Sequence, residues 1–307
     1  MTTEVAQISG RRAVGLWHEA RSFARRRSTR TFALKGIAYV LAIGLGLVFM
    51  APFIFALTGS LMTPAELYVI PPKWIPAAPQ WVNYVNVWNF VPWPTYIKNT
   101  LIITAVAMTG QLASSCFVAY GFARFRFPLR NTLFLILLGT MVMPGEVITI
   151  PQFILFKLMH WVDTFLPLTV PSYFGNSAFT IFLLRQFFMT LPRDLDDAAK
   201  IDGAGTLRIL VQVLVPLSKP ALATVAILSF IYHWNDFFSP LIYLNSKELY
   251  TVSLGLNYFR SAQTEAGPPM AHWLMAASVI VTVPVIAVFF SLQRYFIQGI
   301  VMSGIKR

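Results

Sequence analysis

Long apolar runs separated by clusters of arginine and lysine constrain this chain more than any other feature. The first run extends from Phe32 to Thr58 with Lys35 as its one charge, and about 20 such residues are enough to cross a bilayer core of roughly 30 Å. Further runs fall at Asn99 to Tyr120, Leu133 to about Lys157, Phe165 to Phe188, Ala221 to about Leu244 and Trp273 to about Phe296. Lys and Arg concentrate on cytoplasmic loops, and here they gather at Arg21 to Arg30, Arg124 to Arg130, Arg193 to Lys219 and Arg294 to Arg307. These clusters fall at every second gap between runs. The pattern predicts an all-α polytopic membrane protein of six transmembrane helices with both termini cytoplasmic. Its parts are a basic tail over 1–31, a transmembrane domain over 32–300 and a short tail over 301–307. The first tail has the charge of a signal-peptide n-region, but the run behind it is too long and lacks a small-residue cleavage site.

The gaps without basic excess belong outside. Residues 59–98 are rich in Pro and Trp, among them Trp74, Trp81, Trp88 and Trp93, and suit an outer connection with aromatics at the interface. Residues 245–269 read as a mixed-charge outer loop. Met143-Pro144-Gly145-Glu146 interrupts the third run, and Pro167, Pro171 and Gly175 punctuate the fourth. With 56% hydrophobic and 12% charged residues and a mean hydropathy of +0.63, the net charge of +12 serves topology rather than nucleic-acid binding. Cys116, the one cysteine, excludes an intrachain disulfide.

The long polar interruption is Leu191 to Pro220. Pro192 suits a first helical position, and Asp194, Asp196 and Asp197 complement the dipole of the turns that follow. A helix from Pro192 to Ile201 spans only about 15 Å, too short to cross a membrane. Asp202-Gly203 stops it, because Gly reaches positive φ freely. Leu207, Leu210, Val211 and Leu214 then open a second helix that is expected to end at Pro216.

This stretch resembles the EAA loop of ATP-binding-cassette (ABC) importer permeases. The family pattern is Glu-Ala-Ala, three residues, Gly, nine residues, Ile-x-Leu-Pro. Here it reads Asp197-Ala198-Ala199, then Gly203, then Val213-Leu214-Val215-Pro216, with the spacing kept. Other segments match in order, including Tyr120-Gly121-Phe122-Ala123-Arg124, Phe182-Leu183-Leu184-Arg185-Gln186 and Trp234-Asn235-Asp236-Phe237. They narrow the resemblance to the carbohydrate-uptake branch, of which the smaller maltose permease subunit is typical. The resemblance implies a second homologous permease, two ATPase subunits that bind ATP and Mg, an extracytoplasmic solute-binding protein and a bacterial or archaeal cytoplasmic membrane. It also implies that Asp197, Ala198, Ala199, Asp202, Gly203 and Ala204 form the coupling helix and turn that dock on the ATPase.

The chain itself carries no phosphate-binding loop, no zinc-protease motif and no dinucleotide fingerprint. A non-catalytic subunit without a cofactor of its own is expected, with hydrolysis in a partner. Polar side chains at membrane depth are costly unless they face a partner or a wet cavity. Tyr173, Asn176, Trp234, Asn235 and Asp236 are therefore the expected lining of a sugar path. The alternative, an ion-coupled secondary transporter, would need a carboxylate relay, for which Glu146 and Asp236 are the obvious residues.

Overall fold

The computed structural model describes residues 35–262 and 270–304, and among these every regular element is a helix. The expected basic tail at 1–31 and the last three residues of the C-terminal tail lie outside the described residues. Helix α1, Lys35–Gly59, is a 25-residue apolar rod of mean hydropathy 2.5. It belongs to a unit ending at Thr58, and the chain from Gly59 onward forms a second unit, described next by itself.

The connection after α1 is folded rather than loose. α2 (Pro64–Leu67) starts from a capping box in which Thr63 and Glu66 satisfy each other's backbone N–H groups. α3 (Val82–Phe90) follows and leads into α4 (Trp93–Arg124), a 32-residue helix with Pro in its first turn, where no N–H is missed. The second span therefore begins six residues before the expected Asn99. Trp93 is fully buried, donates its indole N–H to Val87 O at 2.9 Å and stacks on Phe259. It is a core residue, whereas Trp81 and Trp88 are exposed as interface residues should be.

Prolines and glycines divide the next two apolar runs. α5 (Arg130–Gly139) passes through a 3-10 turn into α6 (Gly145–Leu158), the pair bent by 94° at the Met143-Pro144 break. α7 (Leu166–Thr169), a 3-10 turn at Val170–Phe174 and α8 (Ala178–Thr190) replace the expected fourth span. Gly175 at φ +68 makes the corner, and Ser177 caps α8 by accepting from Thr180 N–H. Each of these pieces is shorter than a bilayer crossing.

α9 (Asp194–Ile201) and α10 (Thr206–Ile209) form the polar hairpin, and a π-helical turn at Leu210–Leu214 continues into α11 (Val215–Leu217). The second helix thus ends at Leu217, one residue past the expected Pro216. A wide turn rearranges the ladder just where proline lacks its donor. The axis then bends by 82° into α12 (Lys219–Asn235). The fifth run breaks again at Asp236, before α13 (Phe238–Tyr243).

The outer stretch expected as a loop holds α14 (Val252–Ala262), whose Val252, Leu256 and Phe259 recur at helical spacing and pack with Val87 and Trp93. α15 (Ala271–Gly304) closes the fold. Among the described residues, three helices are long and apolar enough to cross a membrane, or up to five if each bent pair is one span.

α4 is the axis of the second unit, packing against α7, α8, α12 and α14. Its two ends are tied to different parts of the chain. At the first end Asn99 Nδ2 donates to Glu248 O and Tyr250 O at 2.8 and 3.0 Å, and Val252 N–H donates to Thr100 Oγ1 at 2.9 Å. At the other end Arg124 and Tyr120 reach the hairpin. Roughly 38 Å of helix axis, at about 1.5 Å per residue, separates Asn99 from Arg124.

Candidate functional site

The hairpin at the Arg124 end has an inner and an outer face. Asp202 N–H returns to Ala198 O at 3.1 Å, Gly203 N–H to Lys200 O at 3.0 Å and Ala204 N–H to Ala199 O at 2.8 Å. This closed turn places Gly203 at φ +77, where a Cβ would strain the backbone although open space surrounds it. On the inner face Asp196 Oδ2 lies 2.9 Å from Arg124 Nε, with the two side chains 10% and 5% exposed. Arg124 Nη2 also donates to Leu191 O at 3.1 Å, and Tyr120 O–H donates to Thr206 O at 3.3 Å. Ala199 and Ala204 pack against the core that holds Phe188, Leu210 and Leu214.

The outer face is left open. Asp197, Ala198, Asp202 and Gly203 are exposed, and so are Ile201 at 87% and Leu207 at 61%. Of the six residues expected to dock, Ala199 and Ala204 therefore face inward and four face outward. Ile201 and Leu207 join the outer set. Their signal in the sequence was an apolar residue on each side of a polar turn. Lys200 Nζ donates to Asp197 Oδ1 at 2.8 Å, which holds the Asp197 carboxyl below its ordinary range and raises Lys200.

A second polar cluster sits inside the bundle, where Gln111 of α4 meets α8 and α12. Gln111 Nε2 donates to Thr180 Oγ1 at 2.8 Å, and Thr180 Oγ1 lies 2.8 Å from Ser177 Oγ. Gln111 Oε1 accepts from Ser229 Oγ at 2.8 Å and meets His233 Nε2 at 3.2 Å, which requires the imidazole proton on Nε2. Beside this network lies a cavity of about 290 Å³, lined by Gln111, Ser177, Phe179, Thr180, Ser229 and Tyr232 among others. Roughly 20 Å of axis separates Gln111 from Arg124 at about 1.5 Å per residue. The cavity thus lies well inside α4, a helix long and apolar enough to cross a membrane, and its polar groups are neutral.

The residues expected along a sugar path are not among the side chains that line this cavity. Asn176 is exposed and immediately precedes Ser177. Tyr173 is half-exposed, its hydroxyl 3.3 Å from Thr109 Oγ1 and its ring pressed on Gly110, where a Cβ would come within 2.4 Å. Asn235 is exposed at the end of α12 and donates to Ile231 O at 2.8 Å, while Asp236 accepts from Ser239 N–H at 3.2 Å at the start of α13. Trp234 departs from the expectation. It is 1% exposed, stacks on Phe230 and donates its indole N–H to Val281 O at 3.2 Å, so it joins α12 to α15. Glu146 is exposed in the first turn of α6, where a carboxylate complements the helix dipole.

A bundle of broken apolar helices around a neutral polar cavity, with a short hairpin presented at one end, defines a membrane transport permease. The chain belongs to the family of binding-protein-dependent transport system inner membrane components, whose profile matches residues 111–302. It is 32% identical over 272 residues to the sn-glycerol-3-phosphate transport system permease protein UgpE of Yersinia enterocolitica, covering 86% of this chain and 94% of that protein. It is 30% identical over 272 residues to UgpE of Escherichia coli O1:K1 / APEC, with the same coverage. Among solved structures it is similar to a bacterial ABC transporter involved in the import of the acidic polysaccharide alginate. The TM-score is 0.74 at 25% identity, over 87% of this chain and 98% of that one. The resemblance to ABC importer permeases read from the polar hairpin holds across the fold.

Proposed function

We propose that this chain is one permease subunit of an ATP-driven importer carrying a sugar, of di- or oligosaccharide size, across the cytoplasmic membrane by alternating access. It works beside a second homologous permease, two ATPase subunits that bind ATP and Mg, and an extracytoplasmic solute-binding protein. Six crossings with both termini cytoplasmic give every basic cluster its place, with α7 and α8 together making the fourth. Substrates named for its relatives, sn-glycerol-3-phosphate and the acidic polysaccharide alginate, carry hydroxyl groups beside their anionic groups. The amide, hydroxyl and phenol groups around the Gln111 cavity suit such partners by hydrogen bonding, with Tyr173, Asn176, Asn235 and Asp236 along its approaches. Neutral donors and acceptors hold a sugar without the desolvation cost of an ion pair.

The observation that carries the reading is the two-faced hairpin. Its inner face is locked to α4 through Asp196 and Arg124, while its outer face offers Ile201, Leu207, Ala198 and Asp197. An exposed apolar tip beside a charge on a rigid support suits a groove on a soluble motor subunit. Ile201→Asp tests this, because a residue 87% exposed can be changed without touching the core of this chain. The variant is expected to insert and fold normally, but to lose the ATPase on purification or keep it without substrate-stimulated hydrolysis. Full retention of the ATPase together with parental uptake would refute the docking role.

A further inference from the structure

A second feature lies at the Arg124 end, beside the hairpin. Arg124 of α4, Arg130 at the start of α5, Arg185 of α8 and Arg193 just before α9 line one cavity of about 230 Å³, together with Phe122 and Leu191. Four guanidinium groups from four segments converge there. Among the described residues Arg124 has an ion-pair partner in Asp196 and Arg193 sits near the Asp197 carboxylate, so the lining carries four positive charges against two negative charges at its edge. Arg130 uses Nη1 on Phe125 O at 3.1 Å, which leaves its charge uncompensated.

Arg185 is the most telling of the four. Its guanidinium carbon lies 4.0 Å from the centroid of the Phe134 ring, and its Nε is buried without a hydrogen-bond partner. Phe122 packs against the same ring at 5.4 Å, so the guanidinium rests on an aromatic floor. A cation placed there, with a buried donor unsatisfied, is costly unless an anion completes the site. Arginine forks match the oxygens of phosphate, and a ring of them around one cavity focuses a positive potential. The cavity lies where α4 ends at Arg124 and α5 begins at Arg130, the level of the cytoplasmic headgroups in the six-crossing arrangement proposed above.

We infer that this arginine cavity binds a phosphate-bearing anion, with Arg185 as the fixed anchor and Arg130 and Arg193 as clamps. The same chemistry can be supplied by the headgroup of an acidic phospholipid or by soluble phosphate. The inference uses that arrangement only for the lipid source, and its test does not depend on transport.

The complete transporter would be purified and reconstituted in nanodiscs. In one arm the discs hold phosphatidylglycerol in a phosphatidylcholine background, and retained acidic lipid is read by native mass spectrometry. In the other the discs are pure phosphatidylcholine, and inorganic phosphate is titrated while thermal stability is followed. Arg193→Gln alters an exposed residue and Arg130→Gln a half-buried one, so neither depends on rebuilding the core. Each is expected to weaken whichever arm responds by about fivefold. Arg185→Lys, which keeps the charge and loses the fork, should weaken it as well. A response in the first arm assigns a lipid headgroup, and one confined to the second assigns soluble phosphate. Equal retention and equal phosphate response in the parent and all three variants overturns the site.

Discussion

Gln111 shows how one amide can be tolerated at membrane depth. Both ends of the amide are used: Oε1 takes donors from Ser229 and His233 on α12, and Nε2 donates to Thr180 on α8. Interhelical hydrogen bonds in membranes average about 0.6 kcal/mol and reach roughly 1.7 kcal/mol. Gln111→Leu should therefore lower thermal stability by about 1 kcal/mol while cutting uptake far more. In a double-mutant cycle with Ser229→Ala, coupling near 0.6 kcal/mol is expected. Strict additivity would show that the two side chains act independently.

A second residue-scale prediction concerns Asp163. Its Oδ1 accepts from Asn245 and Ser246 N–H, both at 2.9 Å, and the Ser246 hydroxyl reaches the other oxygen. These donors hold its pKa below the ordinary 3.8. A depressed carboxylate contributes stability that is present above the unfolded value and lost as the pH falls through the folded one. Amide exchange at Asn245 and Ser246 should thus accelerate only below about pH 4, and Asp163→Asn should remove that dependence. Neither residue was legible beforehand. Gln111, Thr180 and Ser229 are each isolated within an apolar run, and only the packing of three helices brings them together.

Among elements, the hairpin was largely written in the sequence. The aspartates and Gly203 fix its first turn and corner by local chemistry alone, while α9 starts at Asp194, two residues after the expected Pro192. Its orientation was not, because that depends on which aspartate meets Arg124. Asp196 serves the helix dipole in the one-dimensional reading but is in fact the residue that ties α9 to α4. Removing one partner of a buried pair strands the other charge, at a cost of about 3 kcal/mol or more. Asp196→Ala should lower stability by that amount and release the hairpin, whereas Asp197→Asn, at an exposed pair, should leave stability unchanged. Thermal unfolding of the two variants separates them. Equal effects would mean that the Arg124 contact does not hold the hairpin. The broken elements were harder to read. Pro167, Pro171 and Gly175 mark interruptions, but whether an interrupted run still crosses as one unit depends on its neighbours. The mixed charges of 245–269 read as a loop in one dimension, and the short stripe of Val252, Leu256 and Phe259 on α14 gains its meaning only from the core it packs into.

For the whole molecule, the basic clusters and the long-range hydrogen bonds agree on a polarity. Asn99, Thr100 and Asp163 gather the segments that lack basic excess, 159–165 and 245–252. Arg124 and Tyr120 gather the basic hairpin. The roughly 38 Å of α4 between these ends exceeds a bilayer core of about 30 Å, so the proposed topology puts the two sets on opposite surfaces. Single-cysteine labelling turns this into a test. Native Cys116 is buried in an apolar cluster, so Cys116→Ala gives a silent background without burying a hydroxyl as serine would. Cysteines at the exposed positions Ala78 and Lys247 are expected to react with an impermeant maleimide added to intact cells. A cysteine at Gly205, exposed on the hairpin, is expected to react only after the membrane is opened. Labelling of Gly205→Cys from outside, or protection of the other two, would invert the polarity and leave the hairpin on the wrong side of the membrane for any cytoplasmic motor.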